Sequence, residues 1–156
     1  MADPSGVTLR EITGLAVTAL HGRPDPLLGL PQGPGSAALP HGTAIWTAPG
    51  QWLLLHAPDA PPPVAEAHRT SLTGARRILE VAGPSAREAL ATLLPIDLHP
   101  SAFGENAAAA TIAAHIPVLV WRDGEAFRIA CDRSYGESLR GALVVAGRGR
   151  GLEGDR

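Results

Sequence analysis

The sequence predicts an α+β fold with a largely antiparallel sheet and about two to three helices. Three observations lead there. Short apolar strand signals come in neighbouring pairs joined by turn residues, Ala48-Pro49-Gly50 and Asp123-Gly124, and not by helix-length crossovers. Clear helical periodicity is confined to two segments, one opening at Gly83-Pro84 and one at Ser134. The resulting order of strands, helix, strands, helix lacks the regular alternation of a parallel sheet. A chain of 156 residues suits one domain, placed at 1–147, that buries roughly two-thirds of its unfolded surface.

In order, residues 1–8 read as a loose leader, and the alternation of Leu15, Val17 and Ala19 predicts a strand over 15–20. Residues 22–42 hold Pro24, Pro26, Pro31, Pro34 and Pro40 among glycines. Proline withholds ladder donors and glycine is costly to order, so this is a loop, and one long enough to invite an external anchor. Strands at 43–47 and 51–56 form a hairpin. Residues 57–63 are a stiff proline-rich linker, and 64–68 start a short helix. A strand at 76–82 precedes Gly83-Pro84, where proline fits the first helical position. Ala86, Ala89, Leu90 and Leu93 then form one apolar face, which Pro95 ends. Strands follow at 109–113, 117–122 and 125–131. For the last helix, Ser134 and Glu137 make a capping box. Tyr135, Leu139, Ala142, Leu143 and Ala146 share a face, Gly147 closes the helix, and 148–156 is a disordered tail.

Composition removes several function classes. All 13 basic residues are arginine, against 15 acidic ones, for a net charge of −2. Without lysine there is no Schiff-base nucleophile and no phosphate-loop lysine. The near-neutral charge gives no footprint for nucleic acid. Cys131 is the single cysteine, so neither an intrachain disulfide nor a multi-cysteine zinc site can form. Its place at the end of an apolar strand predicts a buried, inert thiol. Met1-Ala2-Asp3-Pro4-Ser5 lacks the order of a signal peptide, and no apolar run approaches the roughly 20 residues that span a bilayer. The expectation is a cytoplasmic protein with no membrane contact.

The motif search predicts no catalytic, cofactor-binding or metal-binding residue. Gly83-Pro84-Ser85-Ala86-Arg87 approaches a nucleophile elbow, but Arg87 stands where the second glycine is required, so an ordinary helix start is the better reading. Gly29, Gly33 and Gly35, like Gly147, Gly149 and Gly151, lack the strand-to-helix setting of a dinucleotide loop. His21, His41, His56, His68, His99 and His115 show no ligand spacing on one element. Asp97 and His99, flanked by Pro95 and Pro100, read as loop-ordering groups. Trp46, Trp52 and Trp121 are half of the six aromatic residues and are the candidates for a partner interface, with core packing as the alternative.

Three blocks carry a resemblance. They are Trp46-Thr47-Ala48-Pro49-Gly50-Gln51-Trp52-Leu53-Leu54; the run from Ile78 to Leu90, continuing through Pro95-Ile96-Asp97-Leu98-His99-Pro100 and Phe103; and Phe127-Arg128-Ile129 followed by Arg133-Ser134-Tyr135 and the closing helix. In this order, over about 43–146, they resemble the gamma subunit of heterotetrameric sarcosine oxidase. Arg69-Thr70-Ser71-Leu72-Thr73 departs from the acidic residue near a serine usual there. The gamma family resembles, in turn, the tetrahydrofolate-binding domain of aminomethyltransferases, which implies that α+β fold. The resemblance further implies a non-catalytic subunit of an oxidoreductase acting on CH–NH donors, beside alpha, beta and delta subunits. Those partners would carry FAD, FMN, NAD, zinc and tetrahydrofolate, with none bound by this chain. Two alternatives stay open: an oxidase for another N-methylated amine, or a stand-alone folate-binding domain. For the latter Glu80, Asp97 and Arg87 are available, but no spacing selects them.

Overall fold

Period-2 burial along the strands builds two five-stranded sheets stacked face to face. The computed structural model describes residues 6–23, 29–60 and 68–152. Sheet A contains β1 (Thr8–Ile12), β7 (Arg76–Ala82), β8 (Ala108–Ala113), β9 (Ile116–Asp123) and β10 (Ala126–Asp132), in the order β1-β7-β10-β9-β8. Sheet B contains β2 (Ala16–His21), β3 (Ser36–Leu39), β4 (Gly42–Ala48), β5 (Gln51–His56) and β6 (His68–Ser71), in the order β3-β4-β5-β2-β6. Every pairing is antiparallel. The helices are α1 (Ala86–Ala91) and α2 (Gly136–Gly147). The α+β class and antiparallel pairing are as the sequence predicts, with the strands divided between two sheets.

Side chains alternate across each strand, so sheet A feeds two cores. Leu79, Val81, Val120, Phe127 and Ile129 point to the helix side, where Ala89, Leu90, Leu139 and Leu143 cover them. Ile78, Leu119, Trp121 and Ala130 point the other way, onto Val17, Ile45, Leu53 and Leu55 of sheet B. A third, smaller cluster lies on the far side of sheet B, where Leu20, Ala44, Trp52 and Leu54 meet Leu30. The layers are therefore helices, sheet A, sheet B and the 29–35 segment.

Several expectations are corrected. The loop expected over 22–42 yields β3 at Ser36–Leu39, because the stretch between Pro34 and Pro40 is free of proline and pairs with β4. It is also anchored internally: Leu30 is buried, and Trp52 Nε1 donates to the Pro31 carbonyl at 2.7 Å. Thr8–Ile12, read partly as leader, is β1, paired with β7 in register from Thr8↔Ala82 to Ile12↔Ile78. Of the helix expected at 64–68, residues 64–67 lie outside the described residues, and His68 opens strand β6. Helix α1 begins at Ala86, not Pro84, and Leu93 follows its end half-buried.

The capping box does not form. A 3-10 turn over Arg133–Tyr135 precedes α2, neither cap position makes a side-chain cap bond, and Glu137 instead accepts a bond from Arg77. Tyr135 consequently stands exposed, while Leu139, Leu143 and Ala146 are buried as expected. Of the tail expected over 148–156, residues 148–152 make contacts: Val7 N–H donates to Arg150 O at 2.9 Å, and Leu152 packs against the helix-side core, while 153–156 lie outside the described residues. The β9–β10 turn is Gly124-Glu125, with Ala126 opposite Asp123 and Gly124 at φ 59°. The β8–β9 turn is Ala114-His115, both with positive φ, 47° and 69°. Left-handed backbone at two adjacent non-glycine positions matches a primed hairpin turn.

Candidate functional site

The strand-to-turn corner at Gly83 supplies no exposed nucleophile. Gly83 has φ 107°, and a Cβ there would stand 2.1 Å from the Gly6 carbonyl oxygen. The glycine is needed because the segment entering β1 crosses directly over it. Ala86 N–H donates to Gly83 O and Ala89 N–H to Ser85 O, an ordinary helix entry.

Glu80, Asp97 and Arg77, ionisable groups that could grip a ligand, are engaged within the chain. Glu80 lies between β1 and β10, opposite Arg10 and Arg128 in register. Arg10 Nη2 reaches Glu80 Oε1 at 2.6 Å, and Arg128 Nε reaches Oε2 at 3.1 Å. Burial pushes the Glu80 carboxyl up, but the bonds from Arg10 and Arg128 outweigh it and hold the group below the usual range. Asp97 Oδ1 accepts from His99 N–H at 2.8 Å, and His99 Nδ1 lies 2.7 Å from Ser101 Oγ. That local net orders the loop after α1. Arg77 forks onto Glu11 with two 2.9 Å bonds and also meets Glu137 at the start of α2. A Cβ at Gly136 would strike the Arg77 side chain, so glycine there lets the guanidinium approach the helix. These bonds raise the Arg77 pKa, with Glu11 the larger cause.

Of the histidines, His56 is buried at 5% exposure. Its Nδ1–H donates to Ala57 O at 2.8 Å, which fixes Nε2 as acceptor for the Thr18 hydroxyl at 2.9 Å. Among the described residues no three His, Cys, Asp or Glu side chains cluster to hold a metal ion. Cys131 is buried, and loss of solvent raises its thiol pKa while Arg77 and Arg76 pull it back in part. A cleft of about 210 Å³ opens at one end of the sheet interface, lined by Thr47, Leu53, Arg76, Val118, Leu119 and Asp132. Arg76 and Asp132 form an ion pair with each other there, and pockets for small molecules are ordinarily roomier, about 300–1,000 Å³.

The three tryptophans separate. Trp121 is 1% exposed between the sheets, and Trp52 is 4% exposed under the 29–35 segment. Neither presents a ring to a partner, because the second sheet and the loop remove both from the surface. Trp46, opposite Trp52 in the β4–β5 register, remains half-buried and keeps an outward surface. Sequence reasoning missed Arg122, a buried arginine at the end of β9. An arginine after the apolar run Val118-Leu119-Val120-Trp121, in phase with Val118 and Val120, is the signal that marks it.

No protein-family model matches the chain. Among characterised relatives, a sarcosine oxidase subunit gamma from Arthrobacter sp. is 41% identical over 108 residues, covering 62% of this chain. The matched stretch spans 53% of that relative, so the chain aligns with about half of its length. The subunit gamma of Corynebacterium sp. strain U-96 is 34% identical over 169 aligned positions, covering 94% of this chain and 82% of the relative. In solved structures, a chain of the heterotetrameric sarcosine oxidase from Corynebacterium sp. U-96, in complex with pyrrole 2-carboxylate, superposes with a TM-score of 0.82. That match has 26% identity and covers 99% of this chain and 90% of the other. A third-identical alignment over most of both sequences, joined to the same double-sheet fold, places this chain in the sarcosine oxidase gamma subunit family.

Proposed function

We propose that this chain is a non-catalytic gamma subunit of a heterotetrameric sarcosine oxidase, lending surface and shape to partner chains that carry the chemistry. The carrying observation is the near-complete superposition on a chain of such a heterotetramer. The internal engagement of Glu80, Asp97, His56 and Arg77 supports the same reading, since each already has a protein partner. In the reaction assigned to the complex, sarcosine, oxygen and water give glycine, formaldehyde and hydrogen peroxide. With tetrahydrofolate as acceptor the one-carbon unit leaves as methylene-tetrahydrofolate. FAD, FMN, NAD, zinc and tetrahydrofolate belong, in this proposal, to the alpha, beta and delta subunits, and the assembly works in the cytoplasm. Among the described residues no helix is long and apolar enough to cross a membrane.

Co-expression with flavin-bearing alpha and beta chains and a small delta chain tests the assignment. A stable four-chain particle that oxidises sarcosine is expected, while this chain purified alone carries no flavin and no activity. Sarcosine oxidation by the lone chain, or its absence from the assembled particle, would overturn the proposal.

A further inference from the structure

Each sheet ends in two edge strands, β1 and β8 in sheet A and β3 and β6 in sheet B. An edge offers unpaired N–H and C=O groups to any passing strand, and proteins blunt it with charge, proline or short length. Three of these edges are blunted so. Strand β1 carries Arg10 and Glu11, and β6 is a four-residue strand that carries His68 and Arg69. Strand β3 is only four residues long and lies between Pro34 and Pro40.

Strand β8 has none of these devices. Its six residues, Ala108-Ala109-Ala110-Thr111-Ile112-Ala113, include no charge and no proline. From Ala107 to Trp121 the chain holds no Asp, Glu, Lys or Arg at all. Arg122 N–H donates to Ala107 O at 3.1 Å, which sets the phase of the β8–β9 ladder. Ala109, Thr111 and Ala113 face β9 with their backbone groups, and Ala108, Ala110 and Ile112 turn theirs outward. Pro117, which has no N–H, accordingly stands opposite Ile112, in a pair that exchanges no bond.

Ala108 is buried, near the place where Ser36 N–H donates to Asn106 O. Ala110 and Ile112 are exposed, and their backbone groups meet no other partner among the described residues. The tight turn at Ala114-His115 keeps Ala113 opposite Ile116, so the edge stays extended to its tip. Side chains on the sheet-B face of this hairpin lose their cover in the same direction. Ala108 and Trp121 are buried there, whereas Ala110, Ile112 and Pro117 are exposed, with Ile112 at 48%.

We infer that the β8 edge receives an extended segment of a partner subunit, which joins sheet A as a sixth strand. The outward N–H and C=O groups of Ala110 and Ile112 supply the ladder, and an apolar side chain on the incoming strand covers Ile112. The inference rests on the four-chain assembly proposed above. In a particle of four different subunits this chain has no copy of itself alongside, so the strand comes from another chain.

Two variants test the edge with the fold kept. Ala110→Pro removes an outward N–H that the internal ladder does not use, and Ile112→Lys places a charge where the other edges have one. Each is co-expressed with the other oxidase subunits, beside Thr70→Lys on the β6 edge. About a tenfold loss of capture is expected for both β8 variants and none for Thr70→Lys, with circular dichroism and Tm matching the parent. Should Ala110→Pro misfold, Ile112→Lys alone decides. Hydrogen exchange supplies the direct readout: the amides of Ala110 and Ile112 should exchange about a hundredfold more slowly in the particle than in the lone chain. Assembly of both β8 variants like the parent, an equal loss in Thr70→Lys, or unprotected amides in the particle would overturn the inference. So would a dimer of the lone chain that Ile112→Lys dissolves, because a second copy would then cover the edge. If the unmodified chain itself fails to assemble, the assembly proposal falls first and the edge loses its occupant with it.

Discussion

The helix side of sheet A is closed by Ala86, Ala89, Leu90, Leu94, Leu98, Phe103, Leu139 and Leu143 packing in depth. The outer side of sheet B is closed by Leu30, one tryptophan hydrogen bond and half-buried Leu39 and Trp46. Both faces carry fully buried leucines, Leu79 and Leu90 on one side and Leu20 and Leu54 on the other. They differ in what can follow when a side chain is removed. A helix layer held at both ends leaves a cavity, whereas a proline-rich segment can settle inward, and cavity cost depends on that collapse.

The largest effect should therefore come from the helix side. Leu90→Ala is expected to cost about 4 kcal/mol in urea unfolding, and Leu54→Ala about 2 kcal/mol. Equal costs would break the comparison. Gly83→Ala forces a Cβ against the Gly6 carbonyl at a positive φ, so a loss of about 3 kcal/mol is expected. A near-neutral result would show that the entry to β1 is free to move.

An ionic contribution independent of either cover comes from Glu80. Its pKa is depressed in the fold, so the stabilisation is fully present above the ordinary value of 4.5 and is lost as pH falls through the depressed one. Glu80→Gln should cost about 1–2 kcal/mol at pH 7, and the gap to the parent should close in acid titrations below about pH 4. A constant gap down to pH 2 would remove the carboxylate from the account. For the loop side, Trp52→Phe deletes the bond to Pro31 and should cost about 1 kcal/mol, with faster proteolytic nicking near residue 30 as the sharper readout. Smallest of all, Cys131 should react with a thiol reagent in the native chain only at the rate of unfolding, because it is buried and its thiolate is disfavoured.

The strands legible in the sequence are mostly those inside the sheets. Leu53, Leu55, Ile78, Val120 and Ile129 belong to strands with neighbours on both edges, and their apolar runs announce it. The three missed strands, β1, β3 and β6, are all sheet edges. An edge strand covers less core and carries more polar residues, as Thr8-Leu9-Arg10-Glu11-Ile12 and His68-Arg69-Thr70-Ser71 do. The pairing of β1 is fixed by distant partners, Arg10 with Glu80 and Glu11 with Arg77, which no local window contains. The same limit hid the meeting of two arginines over one ring. Arg87 was visible as the residue that spoils a nucleophile elbow, but its convergence with Arg122 on Phe127 requires the β9–β10 register and the seat of α1. The burial of Trp121 escapes a local reading for the converse reason: the second sheet that covers it cannot be seen from the residues around it.

The bond from Val7 to Arg150 ties one end of the described chain to the other across the corner at Gly83. During synthesis β1 must wait for β7 to leave the ribosome, and its lead-in segment waits longer still, until the turn beyond α2 has emerged. Sheet B and the β9–β10 hairpin can form earlier from nearer partners. Maturation of this fold is consequently paced by the turn beyond α2, and a ribosome stalled within α2 would hold a chain whose strand β1 is paired but whose closing latch is still missing.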